Sequence, residues 1–155
     1  MNARTPGEFE RLCGDAFRCI GFEVEQLGQG HGRNADCVAV ARQERFAVIV
    51  DAKVRANGYV LGTEDRKFLE YALTHTRELN RAGIQKVYLV VVGSEFRESD
   101  LAKLTKHLAD SPIRSVDLVT AKALMRMTED SIRQRHQFQL AEVAQTLFGN
   151  KIIAD

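Results

Sequence analysis

The chain has 155 residues, 45% of them hydrophobic and 28% charged, with two prolines and no Ser/Gly-rich linker. That composition predicts one globular domain over residues 1–155 and argues against extended disorder. With 22 Lys and Arg against 21 Asp and Glu, the net charge of +1 speaks against a protein that grips duplex DNA by basic excess alone.

In chain order, Thr5-Pro6 with Glu8 in the first turn marks a helix start. Phe9, Leu12, Cys13, Ala16, Phe17 and Ile20 then recur at spacings of three and four, which predicts a helix ended by Gly21. Phe22 to Leu27 alternates apolar and polar residues, as a half-buried strand does. The stretch GQGHGRN, residues 28 to 34, carries three glycines and reads as a loop. Ala35 to Ala41 and Phe46 to Ala52 are apolar segments joined by Arg42-Gln43-Glu44-Arg45, which predicts a hairpin. The second segment is continuously apolar up to Asp51, the pattern of a central strand covered on both faces.

A second loop, VRANGYVLG, leads to a helix over about Glu64 to Arg81, closed by Gly83. KVYLVVV, Lys86 to Val92, is another buried strand. A helix around Glu98 to Leu108, a short strand at Ser115 to Val119, and helical segments after Thr120 and Arg135 follow. The order α-β-β-β-α-β-α-β-α-α puts antiparallel strands first and alternating units after them. It implies an α/β fold with a central mixed β-sheet flanked by α-helices.

The three cysteines, Cys13, Cys19 and Cys37, show neither regular pairing nor a CxxC spacing. A disulfide framework and a zinc site are therefore not expected, and all three read as small buried apolar residues. The start lacks the apolar core of a signal peptide and no apolar run is long enough to span a membrane, so a cytoplasmic protein is expected.

The chemistry concentrates in Asp36, at the start of the first hairpin strand, and in Asp51 and Lys53, at the end of the second. A hairpin of this length lays the start of one strand beside the end of the other, which brings the two carboxylates together. Asp51 and Lys53 are two apart and point to one face. Two hard oxygen donors suit Mg²⁺, and the backbone carbonyl of Ala52 can supply a further ligand. Such a cation stabilises charge on a phosphate and acidifies a bound water, while Lys53 orients that water or offsets transition-state charge. Whether one or two ions bind is left open by the spacing.

The residues N-A-D36 followed by V-I-V-D51-A-K53 resemble the PD-(D/E)xK nuclease superfamily, with Asn34-Ala35 where a Pro precedes the first Asp. The segment from Leu27 to Tyr59 looks more closely like the cleavage domain of type IIS restriction enzymes of the FokI kind. Looser similarity runs through the helix after Gly62, KVYLVVVGSEF and SVDLVTAKAL. This resemblance implies a restriction-endonuclease-like fold and an Mg²⁺-dependent endodeoxyribonuclease, with Mn²⁺ as a substitute. It assigns Asp36 and Asp51 to the metal and Lys53 to catalysis. It further implies double-stranded DNA as substrate, a separate recognition domain or subunit, and transient homo- or heterodimers in which each subunit cuts one strand. In that family an Asp and an Arg one helical turn apart form part of the dimer contact. Asp65 matches the Asp, but Leu69 stands four residues on.

GEFERL also resembles the first helix of Mrr-like members of the superfamily, where a Glu completes the metal site; Glu10 is the better match and Glu8 the alternative. A first-turn Glu equally stabilises a helix N-terminus. His31 and Arg33 contact a phosphate or are simply solvated, and Tyr59 is structural or packs against DNA. His75, His107 and His136 fall on helical surfaces. Two other readings compete: a Mrr-like or resolvase-like nuclease acting on modified or branched DNA, and a catalytically silent dimerisation subunit. An intact Asp36, Asp51 and Lys53 set argues against the latter.

Overall fold

The computed structural model describes residues 6–27, 36–52, 65–147 and 149–154. Along them run α1 (Pro6–Ile20), β1 (Glu23–Gln26), β2 (Cys37–Ala41), β3 (Phe46–Ala52) and α2 (Asp65–Arg81). There follow β4 (Lys86–Gly93), α3 (Glu98–Leu108), β5 (Ser115–Thr120), α4 (Ala121–Arg133), α5 (Leu140–Leu147) and β6 (Ile152–Ile153). The strands form one sheet in sequence order, antiparallel from β1 to β3 and parallel from β3 to β6. The expected α/β architecture with a mixed sheet is thus present. Among the described residues no helix is long and apolar enough to cross a membrane.

The α1 stripe buries Phe9, Cys13, Ala16, Phe17 and Ile20, while Leu12, at the stripe's margin, stays partly exposed. Gly21 ends the helix at φ 125°, a conformation L side chains rarely adopt, and lets Phe22 N–H reach back to Phe17 O at 3.0 Å. Both faces of β3 are covered, so every one of its residues is buried. Val48 and Val50 join the core beneath α1, α4 and α5, whereas Ala47 and Ile49 join the core beneath α2 and α3. Each such Val or Ile contributes about 1.5–3 kcal/mol relative to exposure, which is why a continuous apolar run belongs at the sheet centre. Phe17, Phe22, Phe46 and Tyr88 make a row of edge-to-face contacts with centroids 5.5, 5.6 and 5.9 Å apart. This row ties the C-terminal end of α1 to the beginnings of β3 and β4.

Three details differ from expectation. The two-residue strand β6 is too short to leave a periodic signal. The last helix starts at Leu140 rather than just after Arg135, because Gln134 O accepts from both Gln137 N–H (2.8 Å) and Phe138 N–H (2.7 Å) and closes a turn. That turn also takes His136 off any helix, although it is exposed as expected. Cys19 is exposed, unlike the buried Cys13 and Cys37, because it lies off the α1 stripe.

The C-terminal segment is fastened through a buried carboxyl. Asp117, fully buried in β5, accepts from the Lys151 N–H at 3.2 Å, and Asn150 Oδ1 accepts from the Val116 N–H at 2.8 Å. The Ser115 hydroxyl has one proton and faces two acceptors, Leu147 O at 2.7 Å and Asp117 Oδ2 at 2.9 Å. A proton on Asp117 Oδ2 lets both contacts form. Burial pushes Asp117 up to about 6, against the hydrogen bonds from Ser115 and the Lys151 backbone and the charge of Lys151.

Candidate active site

The β2–β3 register pairs Cys37 with Val50 and Ala41 with Phe46. Just before that register begins, Asp36 comes up beside Asp51, at the edge where the parallel strands end: Ala52 pairs with Val92, and Val92 with Val119. Backbone bonds fix Asp36 on both sides, its N–H donating to Val50 O (3.0 Å) and its carbonyl accepting from Leu27 N–H (3.1 Å). Its Oδ2 accepts from the Ala52 N–H at 2.6 Å. Asp51 is only 4% exposed. The hairpin therefore delivers the two carboxyls to one place, as the strand lengths require.

The electrostatics follow from that proximity. Burial pushes Asp36 up to about 8, and the Asp51 charge, a hydrogen bond between the two carboxyls and the Glu10 charge add to it; the Ala52 N–H acts in the opposite sense. Two close carboxyls in a buried position cannot both ionise comfortably, so the pair holds a shared proton. Cys13 and Cys37 lie beside it. Burial, reinforced by the Asp36 charge and opposed by Arg18, pushes Cys37 up to about 12, and burial raises Cys13 further. Both stay neutral thiols and behave as small apolar residues.

Glu10 reaches this neighbourhood from α1, since its charge acts on both Asp36 and Cys13. Lys53, His31, Arg33 and Tyr59 lie outside the described residues. Asp65 opens α2, and Leu69 is half-buried against the core under α2 and α3, so it does not stand in for an exposed Arg. His75 is half-buried with Nδ1 3.8 Å from Glu78 Oε2, and His107 is exposed.

Does this donor set fit a divalent cation? Among the described residues no three His, Cys, Asp or Glu side chains gather into a closed cage. An open site on two carboxyls is what Mg²⁺ tolerates, because it keeps several waters and takes further oxygens from a phosphate. A pair that traps a proton between buried oxygens is also one in which a cation can replace that proton. The residues fit an oxygen-bound Mg²⁺.

One neighbour escaped the sequence reading. Gln26, the last residue of β1, pairs with Cys37 and so stands one register step from Asp36. The signal was present in the strand alternation, where Phe22, Val24 and Gln26 share one side and only Gln26 is polar.

Comparison with known proteins gives the family. The model of the FokI cleavage domain matches residues 2–154. No curated protein sequence matches the chain. Among solved structures, that of restriction endonuclease FokI superposes with a TM-score of 0.75 at 20% identity, over 96% of this chain. The match spans only 28% of the FokI chain. The fold is shared, and with nearly the whole sequence matched, the chain belongs to the FokI cleavage-domain family and is a nuclease domain of the FokI type.

Proposed function

We propose that residues 1–155 form one endonuclease domain that hydrolyses phosphodiester bonds of double-stranded DNA with Mg²⁺, for which Mn²⁺ substitutes. The observation that carries this reading is the buried pairing of Asp36 and Asp51 at the end of the central strand, with Asp36 held by the Ala52 N–H, in a chain of this family. Asp36, Asp51 and the Ala52 carbonyl hold the cation, with Glu10 as a further carboxylate. A divalent cation there supplies charge against the phosphate oxygens and makes a nearby water more acidic. The Ala52 N–H keeps the Asp36 carboxyl in place, and the pair would give up its proton to a bound cation. Lys53 orients the attacking water and offsets the negative charge that builds in the transition state.

A net charge of +1 supports recruitment by a separate recognition domain or subunit. Two copies, or one copy and a related partner, pair transiently to cut both strands. The protein works in the cytoplasm, where its DNA and Mg²⁺ are.

Nicking of supercoiled plasmid by the purified chain at high concentration, with Mg²⁺ or Mn²⁺ and with EDTA, tests the proposal. Cation-dependent nicking that disappears in Asp51→Ala and Lys53→Ala is the expected result. Retained cation-dependent activity in Asp51→Ala overturns the assigned site. Cutting confined to methylated or branched DNA assigns the chain to the Mrr-like or resolvase-like class instead. No cutting under any condition, with or without a partner, leaves the silent dimerisation subunit.

A further inference from the structure

Between α1 and the end of β1 two unfavourable features coincide. Gly14 sits in the interior of α1, where glycine costs about 1 kcal/mol relative to alanine. A Cβ at that position would fall 1.7 Å from Gln26 Nε2, so the helix gives up a side chain there to admit the Gln26 carboxamide. That same Nε2 is buried and has no hydrogen-bond partner among the described residues. An unpaired buried donor costs roughly 1–3 kcal/mol.

The location gives them a purpose. A side chain at position 14 would lean back toward the helix N-terminus and lie over residue 10, its neighbour at i−4. The Gln26 amide occupies the start of that path. It stands within one helical turn of Glu10, the α1 carboxylate whose charge reaches Asp36. Through the β1–β2 pairing it is also one register step from Asp36. A donor with two protons, aimed at the helix surface beside a carboxylate, is suited to holding that carboxylate once a cation draws it toward the Asp36–Asp51 pair.

We infer that Gln26 is a positioning residue for the metal site: its carboxamide, admitted by Gly14, holds the Glu10 carboxylate in the cation-bound state. This rests on the metal-dependent reading above and deepens it. Gln26 touches neither cation nor phosphate and acts through Glu10 alone.

The test measures Mn²⁺ affinity of the full chain by calorimetric titration, with melting temperature recorded without metal. Gln26→Leu should melt at the same temperature as the parent or higher, because the unpaired donor is gone, yet bind Mn²⁺ at least about tenfold more weakly. Glu10→Gln should weaken binding too, and the double variant should bind no more weakly than Glu10→Gln alone. Gly14→Ala, which pushes the amide aside, should reproduce the loss and decides the matter if Gln26→Leu does not fold. Parent-like affinity in Gln26→Leu, effects that simply add, or a loss that tracks metal-free melting overturns the positioning role alone. A parent protein that binds no Mn²⁺ overturns the metal reading together with it.

Discussion

Two carboxyls held together in a buried position work against the fold. Asp36→Asn keeps an oxygen for the Ala52 N–H and gains an N–H for Asp51, so it should raise the metal-free melting temperature near pH 8 while abolishing Mn²⁺ binding. Relief of about 1 kcal/mol corresponds to roughly 2–4 °C for a chain of this size, measurable by scanning calorimetry. Asp51→Ala should lower the cleavage rate about a thousandfold or more in a plasmid-nicking assay, the loss expected when a transition-state charge contact is removed. Asp117 gives the pH dependence. Its folded value, about 6, lies above its ordinary one of 3.8, so its contribution is fully present below pH 4 and is lost as pH rises through 6. Urea unfolding across that window should show a decline that Asp117→Asn flattens. At this scale Asp36 and Asp51 were legible because the hairpin fixes who faces whom. Gln26 was not, since its meaning depends on a helix that folds back from elsewhere, and Asp117 looked like any residue of a strand until the C-terminal turn closed over it.

Elements with a long run of one pattern were readable nearly to the residue. The α1 stripe, apart from Leu12, and β3 bury the sets their spacing predicts, because those patterns match a helix or strand face over several turns or pleats. What escaped was set by few residues or by backbone alone: β6 consists of two residues, and the delayed start of α5 comes from a turn around Gln134. The element that carries the site is also the one the fold depends on most. Ile49, fully buried at the middle of β3, should cost about 2–5 kcal/mol when cut to Ala, read from chemical denaturation. At the same sheet edge, Thr120 caps α4 by accepting from the Ala123 N–H at 3.1 Å, and Thr120→Ala should cost about 1 kcal/mol.

For the whole molecule, the near-balance of charge predicts weak and only mildly salt-dependent affinity for DNA on its own. Cleavage by the isolated domain should therefore rise more steeply than linearly with protein concentration, and tethering it to a DNA-binding module should remove that dependence by raising its effective concentration. A linear dependence without a tether would contradict pairing. The sheet itself has two halves of different reach. The antiparallel contact Cys37↔Val50 joins residues close in sequence, whereas the parallel contact Phe46↔Lys86 spans a long stretch of chain. Short-range pairing comes first in folding, and long loops close later. The acidic pair thus meets when the hairpin closes, but its largest cost, burial, is felt only as the helices and parallel strands cover it. Asp36→Asn should consequently slow unfolding, roughly fivefold per kcal/mol of relieved cost, and leave the refolding rate nearly unchanged. The acid pair proposed for the metal site would then govern how long the folded protein lasts as well as which bond it breaks.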